Sequence, residues 1–338
     1  MIIGTNLENN SDFELDVGVY MRTHTFMQGM TGSGKTAFIL KKVETLKKEI
    51  PDAQLIFLDD QEEFTDIPKF YSDFRLISRD TVPKIFTVQH AKQIGIQTRK
   101  LGFSIVVNLH DFAERKERNE FIAEFLKGFK SLGKKVGTPA KIFIDEADQY
   151  CPRLDKKDSK NSKEEIIDLA KRGRKFNITL VLSTQYLSEV DISARRECAN
   201  RIVGKTTELS DRRVVRELMG LTEEEKEELF DFTAGYFYVR GEMFKKGVSK
   251  IFVPESGITR KQAGVDDSVQ VIVANDIFEE AVENKNEQNL VELLQSKIGD
   301  LEKQLADKEI KIKEAYEKGF IECDTEWRNK SRVVRFLK

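Results

Sequence analysis

The chain is poor in the residues that build metal and disulfide frameworks. Three cysteines (Cys151, Cys198, Cys323) and three histidines (His24, His90, His110) are scattered over 338 residues. An odd set of distant cysteines makes neither a disulfide scaffold nor a metal cluster, and points to a reducing, cytoplasmic setting. The scattered histidines argue against a zinc enzyme. Long apolar runs are missing too: none approaches the ~18–20 residues that cross a bilayer, so no membrane segment is expected. The opening MIIGTNLENN has neither the basic region nor the apolar stretch of a secretory leader. Net charge is nearly absent, with 56 Lys and Arg against 58 Asp and Glu. That balance excludes a uniformly basic nucleic-acid binder and little else.

What is present is an alternation of short β-rich runs with helix-length segments. HTFMQG, AQLIFLD, FSIVVNL, KIFIDE and ITLVLST read as buried strands of a mostly parallel sheet. AFILKKVETLKKEI and RNEFIAEFLKGFKSLG carry apolar residues near a 3.6 period and read as helices covering it. Thr222 and Glu225 form a capping-box signature ahead of a short helix, with a strand to follow. The expected fold class is α/β, with a core over residues 1–254. An acidic linker is expected over 255–285, since Val265–Asn284 holds six acids and no Lys or Arg. Residues 286–318 carry an a/d seam (Val291, Leu294, Ile298, Leu301, Leu305, Ile312, Ala315), read as an amphipathic helix or a coiled coil. Residues 319–338 form a basic tail ending in WRNKSRVVRFLK, whose five basic residues face no acid.

The strongest local signal is Gly29-Met30-Thr31-Gly32-Ser33-Gly34-Lys35-Thr36. It matches G-x-x-x-x-G-K-[ST] between a predicted strand and a predicted helix. Glycines let the loop curl so that successive amides face an anion, and the helix N-terminus adds partial positive charge. Lys35 is expected to reach the β- and γ-phosphates of ATP, with the Thr36 hydroxyl on Mg²⁺. A second element, Ile142-Phe143-Ile144-Asp145-Glu146, ends an apolar strand in two carboxylates. Asp145 is expected to hold the Mg²⁺ hydration shell, and Glu146 to polarise the attacking water. The Glu beside the Asp favours the ATP-hydrolysing, additional-strand branch of phosphate-loop proteins. Gln185, closing ITLVLSTQ, is placed to touch the γ-phosphate or the lytic water.

Together these segments resemble the HerA/FtsK superfamily of ring-forming DNA motor ATPases, nearest its HerA-like branch. The matching stretches are HTFMQGMTGSGKT, FLDDQEEF, IVVNLHD, FIDEADQYCP, LAKRGRKFNITLVLSTQ, NRIVGKT, DRRVVRELMG and FTAGYFYVRGE, from about Val17 to Glu242 in the family's order. The resemblance implies a RecA/FtsK-like core, ATP hydrolysis and a homo-hexameric ring acting on double-stranded DNA as a translocase or helicase. It implies that Asp59 and Glu63 lie near the nucleotide. It also implies an arginine supplied to a neighbour's γ-phosphate, with Arg174 first and Arg172 second. Arg22 resembles a phosphate-sensing position in cis. HerA proteins carry an N-terminal β-barrel, whereas 28 residues precede the phosphate loop in this sequence. A nucleotide-gated scaffold for a partner nuclease or other effector is therefore the alternative to a motor. Arg153–Lys175 holds nine basic and five acidic residues, and is read as a basic, DNA-facing segment.

Overall fold

The computed structural model describes residues 2–244 and 247–256. The acidic linker, the a/d seam, the basic tail and Cys323 lie outside the described residues. In chain order the elements are β1 (Ile2–Asn6), β2 (Asp12–Glu14), α1 (Val17–Arg22), β3 (His24–Gln28), α2 (Lys35–Glu49), β4 (Gln54–Asp59) and β5 (Phe74–Ile77). Next come α3 (Val88–Leu101), β6 (Ser104–Asn108), α4 (Arg115–Ser131), β7 (Ala140–Ile144), α5 (Ala147–Tyr150) and α6 (Lys160–Arg172). The remainder are β8 (Ile178–Thr184), α7 (Ile192–Arg196), β9 (Cys198–Val203), α8 (Leu209–Met219), α9 (Glu223–Glu228), β10 (Tyr236–Arg240) and β11 (Ser249–Phe252).

Among the described residues eleven strands form one sheet in the order β2-β1-β11-β10-β9-β3-β8-β7-β4-β6-β5. The seven from β9 to β5 run parallel, which matches the expected mostly parallel α/β class. The four on the β9 side are antiparallel; β10 is the strand expected after the capped helix, and β1, β2 and β11 were not anticipated. The strand bearing Gln185 lies between the phosphate-loop strand β3 and the Asp145-Glu146 strand β7. That is the additional-strand arrangement expected from the adjacent Glu.

Side chains alternate across the sheet, as a two-fold strand period requires. Ile56, Leu58, Ile142, Ile144, Leu180 and Leu182 face one apolar layer with α3, α4 and α6. Leu55, Phe57, Phe143 and Val181 face the other, with α1 and α2. Burial on both faces explains why these strands read as continuous apolar runs. Helix α2 lays Phe38, Ile39, Val43 and Leu46 on the sheet and ends at Ile50, where Pro51 disfavours helical backbone. Helices α3 and α4 meet at two glycines. A Cβ on Gly128 would stand 2.0 Å from the Lys92 carbonyl oxygen, so this contact needs hydrogen as a side chain. Thr222 and Glu225 form the expected reciprocal cap on α9.

Because the strands are parallel, every following loop emerges at one edge of the sheet. The phosphate loop and the loops after β4, β7, β8 and β9 therefore share that carboxyl edge, where open α/β sheets bind ligands. Segments that precede strands lie at the opposite edge.

Candidate nucleotide site

The loop from Gly29 to Gly34 is pinned by its neighbours. Gly29 N–H donates to the Thr184 carbonyl at 3.2 Å, and Met30 N–H to the Lys205 carbonyl at 2.9 Å. Ser33 N–H closes an internal turn onto Met30 at 3.0 Å. Gly34 has φ +91°, and a Cβ there would meet the Gly235 amide nitrogen at 2.8 Å. Gly235 in turn donates to the Ser33 carbonyl at 3.1 Å. Glycine is thus required at position 34 by backbone angle and by close approach together. Among the described residues the amides of Gly32 and Gly34 have no protein acceptor, which leaves them for an anion.

Lys35 Nζ folds back onto the Gly29 carbonyl at 2.5 Å, against the loop it would leave to meet a phosphate. Burial pulls its pKa down, opposed by the charges of Asp145 and Glu146. The Thr36 hydroxyl donates to a Glu63 carboxylate oxygen. Asp145 is 8% exposed, and its carboxyl is pushed up to about 8, first by burial and then by Glu146, Glu63 and Asp59. A buried carboxylate with acidic neighbours is a poor anion by itself and a good ligand for a cation. Among the described residues no three His, Cys, Asp or Glu side chains converge on one metal position. A nucleotide-site Mg²⁺ does not need them, since it takes one or two protein oxygens and completes its shell from phosphate and water. Thr36 and Asp145 fit that requirement.

Glu146 caps α5 with φ 46° and ψ 49°, left-handed backbone that costs a residue with a Cβ about 1–3 kcal/mol. Its Oε1 accepts from Gln185 Nε2 at 2.7 Å and from Gln61 Nε2 at 3.5 Å. Burial raises its pKa, partly offset by the Gln185 bond. Gln185 Oε1 also accepts from the Thr31 hydroxyl at 3.0 Å, so one amide bridges the phosphate loop and Glu146. Gln28 Nε2 fixes the Gln185 carbonyl at 3.2 Å.

The structure brings together Gly29 to Thr36, Glu63, Asp145, Glu146 and Gln185. Asp59 is close but occupied differently from a nucleotide ligand. It is fully buried, and its oxygens accept from the amides of Gln61 (3.3 Å), Glu63 (3.2 Å) and Phe64 (2.8 Å). It braces the loop that delivers Glu63. Arg172 and Arg174 precede β8 and lie at the opposite edge. Seven strand residues separate Arg174's turn from Gln185, roughly 20 Å, so neither arginine reaches its own phosphate loop. Arg172 pairs with Asp168 at 2.6 Å. Arg22 ends α1 ahead of β3, also at the far edge, which removes the cis-sensing position that the resemblance implied. The basic segment Arg153–Lys175 is likewise not one patch. Helix α6 carries Arg153–Lys160 and Lys171–Lys175 to opposite edges.

Several site residues were not foreseen. Gln61 and Gln28 contact Glu146 and Gln185, and Gly204 and Gly235 wall the phosphate loop. Asp60 accepts from Tyr150 Oη at 2.6 Å and from Arg118 at 2.7 Å, tying the β4 loop to α5 and α4. Only the buried Gln in HTFMQG left a sequence signal, as a polar residue inside an apolar strand. Among the described residues no helix is long and apolar enough to cross a membrane.

Comparison with known proteins gives a family model, "Helicase HerA, central domain", that matches residues 2–195, more than half of the chain. No curated protein matches. Among solved structures, VirB4 of Thermoanaerobacter pseudethanolicus is similar at 11% identity and TM-score 0.54, covering 76% of this chain and 97% of its own. The genome packaging NTPase of Sulfolobus turreted icosahedral virus 2, in complex with AMPPCP, matches at 17% identity and TM-score 0.47 over 70% of this chain and all of its own. EssC (ATPases 2 and 3) of Geobacillus thermodenitrificans matches at 13% identity and TM-score 0.48 over 85% of this chain and 50% of its own. The likeness to VirB4 shows the fold. The family match, over the same residues that carry the phosphate loop, Asp145-Glu146 and Gln185, shows that the chain belongs to the HerA helicase central-domain family of ATPases.

Proposed function

We propose that this chain is an ATP-hydrolysing ring motor that translocates double-stranded DNA, with each active site shared between neighbouring copies. The observation that carries the hydrolytic part is the bridge Thr31–Gln185–Glu146, which couples the phosphate loop to the strand-end carboxylate through one side chain. The support for a shared site is the placement of Arg172 and Arg174 at the edge away from their own loop.

The free amides of Gly32 and Gly34 and the Lys35 ammonium bind and orient the phosphates. Thr36 and Asp145 would hold a Mg²⁺, which would supply positive charge against that of the phosphates. Glu146, its pKa raised by burial, accepts a proton from the water that attacks the γ-phosphorus while the bond to the bridging β–γ oxygen breaks. Gln185 exchanges its bond from Thr31 for the γ-phosphate or the water, and so reports which is present. Arg174 or Arg172 of a neighbouring copy meets the charge that develops on the transferring group.

ATP turnover with and without duplex DNA tests this reading. A motor's rate rises several-fold with DNA. A rate indifferent to DNA that rises only with a partner nuclease or effector overturns it in favour of a nucleotide-gated scaffold.

A further inference from the structure

Two loops leave the carboxyl edge side by side, one starting at Glu146 and the other at Gln185. Their first side chains are joined at 2.7 Å. Farther out they meet again. Pro152 and Val190 form an antiparallel bridge, Arg153 N–H donates to the Glu189 carbonyl at 2.6 Å, and Asp191 N–H donates to the Cys151 carbonyl at 2.8 Å. Lys163, in the first turn of α6, points back into this junction. Its ammonium pairs with Asp155 at 2.7 Å on the first loop and with Asp191 at 3.1 Å on the second, and donates to the Arg153 carbonyl at 3.3 Å. The Lys163 side chain is only 13% exposed. Asp191 is itself anchored, since its other role is to cap α7 through Ser193 N–H at 2.8 Å. One sheltered cation therefore ties two loops and a helix together.

The outer surface of the first loop carries Arg153, Lys156 and Lys157, with Leu154 exposed beside them and the one acid between them, Asp155, paired with Lys163. That surface suits a polyanion. It is separated from Gln185 by the six residues of the second loop.

We propose that Lys163 is a positioning residue that makes the two loops one body, so that displacement of Gln185 by the γ-phosphate is carried to the basic loop Arg153–Lys157 and alters its grip on duplex DNA. This rests on the nucleotide and DNA reading above. The mechanical part stands on the geometry: backbone bonds join 151–153 to 189–191, and the Lys163 pairs extend that hold to Asp155 in the basic loop, which without them is free beyond Arg153.

The test is backbone hydrogen–deuterium exchange of the full chain with and without ATPγS and Mg²⁺, combined with ATP turnover. In the wild type, exchange over 151–158 and 186–192 changes together on nucleotide binding. In Lys163→Met the change persists over 151–153 and 186–192 and is lost over 154–158, Lys163→Arg restores it, and basal turnover stays within twofold of wild type while stimulation by DNA falls at least fivefold. Asp191→Asn, which keeps the α7 cap and removes the ion pair, reproduces the effect if the methionine variant fails to fold. A segment 154–158 that still responds in Lys163→Met, or loops that respond separately in the wild type, overturn the proposal. A wild type whose loops move together but whose turnover ignores DNA overturns the DNA reading and supports the coupling.

Discussion

Beneath the nucleotide site two lysines lie in the apolar layer between the sheet and α1 and α2, and they give a stability prediction with a sign that reverses. Lys141 on β7 and Lys42 on α2 are buried, with their amines 4.1 Å and 4.2 Å from the Tyr20 ring centre. Neither has an acidic neighbour among the described residues. Burial depresses the Lys141 pKa from 10.5 to about 7. Above pH 10.5 neither the folded nor the unfolded chain protonates this amine. As pH falls from 10.5 to 7 the unfolded chain takes up a proton that the folded chain refuses, so stability is lost through that window. At 1.36 kcal/mol per unit, the full loss is about 5 kcal/mol. Against it stand the bonds Lys141 donates to the Thr23 carbonyl (3.0 Å) and the Thr179 hydroxyl (2.9 Å). Removing them costs about 2–3 kcal/mol, because the buried carbonyl loses its partner. Lys141→Met is therefore expected to be more stable than wild type by about 2 kcal/mol at pH 6.5, and less stable by a similar amount at pH 10.5. At roughly 2 °C per kcal/mol for a chain of this size, Tm rises and then falls by several degrees. Calorimetric melts of the nucleotide-free proteins across that range, taken as variant minus wild type, cancel the titration of groups remote from Lys141 and leave that of Lys141 with its neighbours Lys42, His24 and Cys198. A difference of constant sign and size refutes the burial argument.

Two further perturbations follow from the packing and the site. Gly128→Ala places a methyl against the Lys92 backbone and forces α3 and α4 apart, so a loss of about 1–3 kcal/mol is expected, read as a lower urea midpoint with unchanged slope. Asp145→Asn removes a carboxyl whose folded pKa of about 8 lies above its ordinary 3.8, so the wild type loses stability as pH rises between those values. The nucleotide-free variant should melt higher than wild type at pH 8.5 and nearly equal at pH 4.5, while Mg²⁺-dependent binding of a fluorescent nucleotide falls at least tenfold. Equal melting at both values would show that the Asp145 pKa is not raised by folding and would refute the burial argument.

The parts of the fold legible in the sequence were those whose physics is local. β4, β7 and β8 are buried on both faces and read as apolar runs, and the phosphate loop is eight consecutive residues. β9 was hidden because Asn200 and Arg201 interrupt CANRIV, and β1, β2 and β5 because three to five residues carry little pattern. α3 buries Gln97, Thr98 and Arg99, which masks its period. Arg99 is sheltered there because Gln54 Oε1 and the carbonyls of Val136, Thr138 and Phe176 accept its protons. In the site, Asp145, Glu146 and Gln185 could be placed from their strands. Asp59's use as a brace, Gln61's contact with Glu146 and the Lys163 junction could not, since each depends on a loop's path. The basic stretch Arg153–Lys175 is continuous only in sequence, because α6 carries its two ends to opposite edges of the sheet.

In the proposed motor, one copy's Glu146 works with another copy's arginine. Mixing Glu146→Gln with an Arg172→Ala/Arg174→Ala double variant, each inactive alone, tests it directly. In a shared site the double variant keeps its own Glu146 and receives arginines from its neighbour. Random assembly at equal amounts should then restore turnover to roughly a quarter of the wild-type rate, since about one junction in four is complete. A mixture no more active than the sum of its parts would contradict the shared site.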